Sequence, residues 1–505
     1  MGKKKNKNKV SGAVKTAAKT EKKLANKLKK ELANLGEEDI AKVIAEIERE
    51  EAKRTAAAEK VLPNPPTARA YASLTPHPTN NELILFGGEF HNGKQTEVYN
   101  DLLFYNAANG TWKQVKAPGA PPPRSAHQAV ATPANKGELW VFGGEFTSPT
   151  ETQFYHYKDL WRFSLTEKKW EKVIAPNGPS PRSGHRMVLL GRKLFVFGGY
   201  CDDGRECKYF DDLYTFCLDT REWSKLTPSG RGPTPRSACV MLPAGNDSLI
   251  IYGGFSRVRE GRSERAVTHP DMFRLSARGT GWTWRTLGAG AARAGQAAAA
   301  PVCSARAYVF GGVADIEETE EELRGEMSDE LKVLDLETCR WHPVLLRNAS
   351  TETNEKTIQQ ATEQTEQTEK EEITVVTDEV FSMRLSTKAP PPGAQPAPPP
   401  GAQPAPGAVG GAGGRPGRGA GPFGRMSAAL AAQRSQLYVY GGVLERDDKQ
   451  FYLGDMYSLD LHKLNEWKTI IEQPTLPDWF GSDSEDETDS ASETDGSEDS
   501  EVSGD

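Results

Sequence analysis

Short apolar runs that end in a glycine pair recur six times along the chain. Each run is apolar, β-branched or aromatic on both faces, as in Leu83–Phe86, and the glycine pair follows at once. Such a run, without polar alternation, predicts a β-strand that is buried on both faces. The first glycines of the six pairs are Gly87, Gly143, Gly198, Gly253, Gly311 and Gly441.

The spacing of these pairs indicates a structural repeat. Their first glycines lie 56, 55, 55, 58 and 130 residues apart, and a period of about 50 residues is that of a propeller blade. The last interval equals one period plus an insert of about 75 residues. We expect each glycine pair to stand where the chain turns sharply and another backbone comes close, because a Cβ would block that approach.

Three further residue types recur at regular distances from the pairs. An arginine precedes each pair, namely Arg69, Arg124, Arg182, Arg236, Arg293 and Arg425. An aspartate follows each glycine pair and begins another apolar run, namely Asp101, Asp159, Asp212, Asp271, Asp329 and Asp455. A tryptophan closes each repeat, namely Trp112, Trp170, Trp223, Trp284, Trp341 and Trp467.

These repeats predict a four-stranded unit that cannot bury both of its faces alone. We expect the tryptophan on the outer strand, where its large area packs against the neighbouring blade. Blades of this kind must stack into a closed ring.

The repeated residues resemble the kelch repeat. The resemblance is carried by the glycine pairs, by Pro123-Arg124-Ser125 and its equivalents, and by stretches such as Gly143–Phe146 and Phe154–Trp161. It implies an all-β fold, a six-bladed kelch β-propeller, over residues 67–470. Blades 1–5 are expected over residues 67–347 and blade 6 over residues 423–472.

The segments outside the repeats are strongly charged or of low complexity. Residues 1–62 are predicted as a basic, partly helical arm, because residues 1–30 hold twelve lysines and one glutamate, and helical spacing follows in two stretches. Residues 348–422 are predicted as a disordered insert in which only residues 373–385 could add a strand. Residues 481–505 carry eleven acidic and no basic residues, and are predicted as a disordered tail.

The sequence offers little that indicates catalysis. His127 and His185 occupy the same position of the repeat, which favours a structural role. Cys201 and Cys207 lack a second pair at zinc-site spacing, and no phosphate-binding glycine motif is present. We therefore predict no enzyme activity, no catalytic or metal site and no cofactor.

The resemblance also implies where a partner would bind. In kelch propellers, residues after the glycine pair and after the arginine ring one mouth of the channel. Blades 1–4 would present an aromatic and partly acidic arc there, suited to a basic peptide with an apolar anchor. The candidate partner-binding residues are Glu89, Phe90, Ser125, Glu145, Phe146, Ser183, Tyr200, Ser237 and Phe255. The other reading is that these residues only pack the bases of the loops.

Two classes of function fit these features. The first is a non-enzymatic protein–protein interaction scaffold, expected to be monomeric, and cytoplasmic or nuclear rather than secreted. The second is an RNA- or ribonucleoprotein-associated factor, in which the lysine-rich arm binds phosphates. Its candidate residues are Lys3, Lys4, Lys5, Lys7 and Lys9. No run is long and apolar enough to predict a membrane span.

Overall fold

Six four-stranded antiparallel sheets form the blades of a β-propeller, which confirms the predicted fold. The computed structural model describes residues 39–202, 206–260, 263–302, 304–317, 323–347, 375–378, 381–384, 421–446 and 449–474. Each blade runs in chain order from its inner to its outer strand. The inner strands are Ser73–Pro76, Gln128–Thr132, Arg186–Leu190, Val240–Pro243, Ala297–Ala299 and Ala429–Gln433.

The remaining blade strands follow in three sets. The second strands are Glu82–Phe86, Glu138–Phe142, Lys193–Phe197, Ser248–Tyr252, Arg306–Phe310 and Gln436–Tyr440. The third strands are Leu102–Asn106, Leu160–Ser164, Leu213–Cys217, Asp271–Arg278, Leu331–Asp335 and Met456–Asp460. The outer strands are Thr111–Lys116, Lys169–Val173, Glu222–Leu226, Gly281–Ala289, Trp341–Pro343 and Lys468–Ile471. A 3₁₀ turn, Ala134–Lys136, precedes the second strand of blade 2.

A two-stranded hairpin extends each blade between its second and third strands. We call the end of the propeller that carries these hairpins the mouth. The hairpins are Glu89–His91 with Thr96–Val98, Glu145–Thr147 with Phe154–His156, Tyr200–Asp202 with Cys207–Tyr209, Phe255–Glu260 with Ser263–Thr268, Val313–Glu317 with Leu323–Met327, and Val443–Arg446 with Lys449–Tyr452.

The ring closes without an exchanged strand. The inner strand of each blade contacts that of the next, and the inner strand of blade 6 contacts that of blade 1. All four strands of blade 6 come from residues 429–471, and those of blade 1 from residues 73–116. Closure therefore depends on contacts between complete blades. In one of these contacts the Tyr440 hydroxyl donates to the carbonyl of Thr67 at 2.7 Å.

The glycine pairs lie at these blade junctions, as predicted. Both glycines of the first pair have positive φ, 64° at Gly87 and 93° at Gly88. A Cβ on Gly87 would stand 2.5 Å from the carbonyl oxygen of Arg124 in the next blade. The Gly88 N–H donates to that same carbonyl at 2.9 Å. The bond recurs at all six junctions, including 3.1 Å from Gly442 to Arg69 where the ring closes.

The side chain of the repeated arginine ties its own blade together. Arg182 is fully buried and donates to the carbonyl of Gly198 at 2.9 Å and to Asp212 at 2.6 Å and 3.2 Å. Five blades share this pairing, in Arg69–Asp101, Arg124–Asp159, Arg182–Asp212, Arg236–Asp271 and Arg425–Asp455. In blade 5, Arg293 instead contacts the half-exposed Glu330 at 3.4 Å.

The repeated tryptophans pack against the preceding blade, which confirms their predicted role. Each faces the aromatic residue that directly precedes the glycine pair there, with ring centroids 4.9–6.2 Å apart. The pairs are Trp112–Tyr440, Trp170–Phe86, Trp223–Phe142, Trp284–Phe197, Trp341–Tyr252 and Trp467–Phe310. These contacts fill the core between blades with aromatic area.

Part of the N-terminal segment joins the propeller, a feature that the sequence did not predict. Helix Ile40–Ala52 forms where the second stretch of helical spacing was found, with the Asp39 side chain capping it at Ala41 N–H, 3.0 Å away. Ala58–Val61 then adds a fifth strand to blade 1, antiparallel to Thr111–Lys116. The first predicted helix, most of the insert and the acidic tail lie outside the described residues. Within the insert, Val375–Asp378 pairs with Phe381–Arg384.

Candidate functional site

Six backbone hydrogen bonds form a closed hoop around the channel at the mouth. The hoop residue of each blade lies two positions after the repeated arginine, has positive φ, and donates its N–H to the carbonyl of the hoop residue in the preceding blade at 2.8–3.2 Å. The six hoop residues are Tyr71, Ala126, Gly184, Ala238, Gly295 and Ser427. Tyr71 is the one large side chain among them.

The predicted binding positions come together directly outside this hoop. In each blade, the residue after the glycine pair forms an isolated antiparallel bridge with the residue after the arginine. The bridges in blades 1–4 are Ala70–Glu89, Ser125–Glu145, Ser183–Tyr200 and Ser237–Phe255.

The members of this set differ in their accessibility. Glu89, Phe90, Glu145, Phe146, Tyr200 and Phe255 are partly exposed. The three serines are at most 5% exposed, so they lie beneath the surface and can act on a ligand only through other groups. The Ser237 hydroxyl, for example, donates to the Phe255 carbonyl of its own bridge at 3.4 Å.

Glu145 is the most closely surrounded of the candidates. Its carboxylate accepts hydrogen bonds from the Tyr200 hydroxyl at 3.0 Å and 3.2 Å, and from the Ser183 hydroxyl at 3.2 Å. His156 Nδ1 lies 3.5 Å from it. Its side chain is only 12% exposed, so the carboxyl group is held in one position.

Glu89 in blade 1 faces the same space. Its carboxylate accepts a hydrogen bond from the Tyr452 hydroxyl of blade 6 at 3.2 Å. Within the described part of the chain, no lysine or arginine forms an ion pair with Glu89 or Glu145. The mouth therefore contains two acidic groups without a neighbouring cation in the described chain.

Burial changes the protonation of both acids. Desolvation raises the pKa of Glu145 to about 8, and the Glu89 carboxylate adds to the rise, while the bonds from Tyr200 and Ser183 oppose it. Desolvation also raises the pKa of Glu89, against the bond from Tyr452. Burial thus shifts each acid towards its neutral form, because the hydroxyl donors around it only partly offset the lost solvation and no full positive charge stands beside it in the described chain.

Aromatic rings continue this acidic pair into an arc. Phe90 meets Tyr452 with ring centroids 6.0 Å apart, and on the other side Tyr200 meets Tyr209 at 5.8 Å. Tyr209 in turn meets Phe255 of blade 4 at 6.2 Å. The arc thus runs from blade 6 through blades 1–3 to blade 4.

Sequence reasoning missed four residues of this surface, Tyr71, His156, Tyr209 and Tyr452. Tyr71 could have been found, because the equivalent positions in the other repeats hold only alanine, glycine or serine. Tyr452, His156 and Tyr209 lie on the returning strands of hairpins, whose loops differ in length, so the repeat does not align them.

Ser183, His156 and Glu145 stand together but do not form a nucleophilic triad. His156 Nε2 accepts the Asp202 N–H at 3.0 Å, so the ring proton of the neutral form lies on Nδ1. That same nitrogen faces the Ser183 hydroxyl at 3.1 Å and cannot take its proton. Burial also lowers the pKa of His156 to about 4. Ser183 therefore lacks the general base that activates a serine.

Neither the histidines nor the cysteines singled out in the sequence form a site. His127 and His185 are buried in T-shaped contacts with Phe86 and Phe142, in keeping with a structural role. Cys207 pairs with Asp202 and Cys201 with Lys208, which directs the two thiols to opposite faces of the hairpin. No cluster of metal-ligating side chains is found among the described residues. The helix of the described chain is too short and polar to cross a membrane.

The RNA alternative gains no support from the structure. Lys3, Lys4, Lys5, Lys7 and Lys9 lie outside the described residues.

Comparison with known proteins supports the repeat. Residues 71–312 match the model described as the KLHDC2/KLHL20/DRC7 Kelch-repeats domain. Kelch domain-containing protein 2 of Bos taurus is 30% identical over 202 residues, which cover 36% of this chain and 48% of that protein. Host cell factor of Drosophila melanogaster is 26% identical over 291 residues, 52% of this chain and 18% of that protein.

Two further likenesses are found. The flagellar outer arm dynein alpha chain of Chlamydomonas reinhardtii is 30% identical over 187 residues, 34% of this chain and 4% of that protein. The chain thus spans less than half the length of these curated relatives. The solved "Structure of YjhT" aligns with 81% of this chain and 99% of its own at 15% identity and a TM-score of 0.48. The six-bladed ring with its repeated residues is therefore a β-propeller of kelch repeats, and residues 71–312 match the kelch-repeats domain family.

Proposed function

We propose that the chain is a non-enzymatic protein-interaction scaffold whose mouth binds a basic segment of a protein partner. The observation that carries this proposal is the pair of partly exposed, desolvated acids, Glu89 and Glu145, without a cationic neighbour in the described chain. On its motifs and charged ends, we further propose that the chain is a relative of kelch domain-containing protein 4.

A positive charge is the group that this pocket lacks. Glu89 raises the pKa of Glu145, and Glu151 raises that of Glu89. An ammonium or guanidinium group placed beside these carboxyl groups would stabilise their ionised forms. The hydroxyls of Tyr200 and Tyr452 already hold both carboxylates in place. Little reorganisation is therefore needed when a cation enters.

The surrounding arc suits the remainder of a peptide. Phe90, Tyr200 and Phe255 offer partly exposed rings on either side of the acids, and exposed Phe154 and Tyr155 stand on the hairpin of blade 2. Aromatic residues near a desolvated charge are typical of the residues that dominate binding energy in protein interfaces. A protein segment with a lysine or arginine next to apolar residues matches both features.

A binding measurement with matched variants tests the proposal. Fluorescein-labelled nonalysine is titrated with the full chain, with Glu89→Gln/Glu145→Gln, and with Glu167→Gln/Glu222→Gln as the control. Both control acids are exposed, Glu167 in the turn before the outer strand of blade 2 and Glu222 at the start of the outer strand of blade 3. Both variants therefore exchange two carboxyl groups for amides, but only one of them changes the mouth. We expect the mouth variant to bind at least tenfold more weakly and the control to stay within about twofold of the unmodified chain. Equal loss in both variants would show a general charge effect and reject the mouth as the binding site.

A further inference from the structure

We infer that the chain's own lysine-rich segment, residues 1–38, occupies the acidic mouth and competes there with a partner. The inference rests on the proposed function of the mouth and adds its regulation. It commits to one occupant because the described chain begins beside the acids, and because the lysines of the segment supply the cation that the acids lack.

The point where the described chain begins is attached to the hairpin that carries Glu145. The Ile40 N–H donates to Gln153 Oε1 at 3.2 Å. Gln153 directly precedes the returning strand Phe154–His156 of that hairpin. The segment before residue 39 therefore departs from the rim of the mouth at blade 2.

The hairpin register gives the distance from this point to the acids. Glu145 pairs with His156 and Thr147 with Phe154, and the Ser148 N–H then bonds the Gln153 carbonyl at 3.0 Å. Gln153 is thus three steps along the strand from the Glu145 pair, or about 10 Å at 3.3 Å per residue. Lys29 and Lys30 precede Asp39 by at most ten residues, and such a length of chain spans up to about 30 Å.

The attachment is held by contacts further along the chain. Ile44 of the helix is 5% exposed, and Glu48 pairs with Lys172 of blade 2 at 3.0 Å. Glu59 of the added strand pairs with Lys113 of blade 1 at 3.2 Å and with Lys168 of blade 2. These contacts span blades 1 and 2, the two blades that supply the acids, so the tether point is fixed relative to them.

The charges of the two parts are complementary. Residues 1–30 hold twelve lysines and one glutamate. Beside Glu89 and Glu145, the same rim carries Glu151, whose carboxylate adds to the raised pKa of Glu89. A tethered segment acts at an effective concentration of about 1 mM. If its own dissociation constant is about 0.1 mM, it leaves about one mouth in eleven free.

The test replaces the twelve lysines of residues 1–30 by glutamine in the full chain and titrates labelled nonalysine. We expect the arm-substituted chain to bind the probe about tenfold more tightly than the unmodified chain, because the competitor has been removed. The gain should shrink as salt rises, since ion pairing weakens on both sides of the competition.

The same arm substitution in the Glu89→Gln/Glu145→Gln background is the control for a general effect of net charge. A specific competitor predicts no gain there, whereas a gain of equal size in that background would overturn the inference. Equal affinity of the unmodified and arm-substituted chains, with binding still lost in the mouth variant, would also overturn it and leave the proposed function standing. If the mouth substitution leaves the affinity for nonalysine unchanged in every chain, both the proposed function and this inference are rejected.

Discussion

The protonation state of Glu145 affects partner binding and folding stability in opposite directions. Its folded-state pKa of about 8 lies above the ordinary value of 4.5. Between these two values, the folded chain holds a proton that the unfolded chain has released. The contribution of Glu145 to stability is therefore present below pH 4.5 and is lost as the pH rises through 8.

Glu145→Gln should consequently stabilise the propeller at high pH. We expect the change in the free energy of unfolding caused by the substitution to be about 2–4 kcal/mol more favourable at pH 9 than at pH 5. Glutamine has the shape of glutamate but never carries the charge. Denaturant unfolding at both pH values measures this. Glu222→Gln, at an exposed position, serves as the control, and the same pH dependence in both variants would contradict the explanation.

The buried histidines have the opposite pH dependence. Burial lowers the pKa of His127 to about 3 and holds that of His185 well below its usual value. Because the unfolded chain binds protons near pH 6.5 and the folded chain does not, stability falls as the pH drops from 6.5 towards 3. Glutamine occupies the equivalent position in blade 5, at Gln296.

His127→Gln/His185→Gln should reduce the loss of folding stability that occurs as the pH falls below 6.5. Each histidine accounts for up to about 1.4 kcal/mol per pH unit within this window, so the variant loses less stability between pH 6.5 and 4.5. Thermal unfolding across that range checks the slope. A variant as acid-sensitive as the unmodified chain would assign the effect to other groups.

At the scale of the blade, the paired arginine and aspartate should contribute far more than their exposed counterpart. Arg425 and Asp455 are both fully buried, so Asp455→Ala leaves a buried guanidinium without its partner and should cost about 3–5 kcal/mol. Glu330, half exposed beside Arg293, is the matched case, and Glu330→Ala should cost less than about 1 kcal/mol. Equal costs, measured by denaturant unfolding, would contradict the importance of burial.

The insert should be dispensable for the fold, because its two ends leave and re-enter the propeller at the same place. The Arg347 N–H donates to the Leu464 carbonyl at 2.9 Å, and a Cβ on Gly421 would contact Trp467. Replacing residues 350–420 by a short Gly/Ser linker should change the free energy of unfolding by no more than about 1–2 kcal/mol, since closure entropy varies slowly with length. Loss of cooperative unfolding in that variant would show that the insert takes part in the ring.

Elements that repeat could be predicted from the sequence, whereas elements that occur once could not. The apolar run before Gly87 and the tryptophan represented by Trp112 each occur six times. This repetition is enough to predict the strand order of a blade and the packing of the tryptophan against the neighbouring blade. Strand Ala58–Val61 has a single copy, and all four of its residues are exposed. It pairs through backbone hydrogen bonds and ion pairs of Glu59, which leave no hydrophobic pattern in the sequence.

At the scale of the whole molecule, the junction of blades 6 and 1 holds the ring closed with the same bonds as every other junction. Gly441→Ala places a Cβ against the Arg69 carbonyl at positive φ, so it should destabilise the chain by several kcal/mol and open this junction. Gly110 also has positive φ but faces open space, and Gly110→Ala should cost only about 1 kcal/mol.

Amide hydrogen exchange distinguishes these two variants. Faster exchange at Arg69 and Gly442, whose N–H groups bond across the junction, is expected in Gly441→Ala alone. Uniform acceleration around the ring in that variant would instead indicate that all six junctions open together.

The candidate site combines residues at repeat positions with residues that the repeat does not align. Glu89 and Glu145 occupy repeat positions and were predicted together, but the absence of a described cationic partner became visible only in three dimensions. Tyr452 reaches Glu89 across the blade 6 to blade 1 junction, over 363 residues of chain. A contact over such a separation leaves no local signal in a single sequence.

The hoop at the mouth has an electrical consequence. Its six N–H to carbonyl bonds all run in one rotational sense, each from a blade to the one before it. Dipoles arranged head to tail around a closed loop cancel, so the hoop adds almost no field along the channel axis. A ligand approaching Tyr71 therefore experiences mainly the electrostatic potential of the side chains. Replacing the carboxylates of Glu89 and Glu145 by amides would change which sign of ligand charge the mouth attracts, with the backbone unchanged.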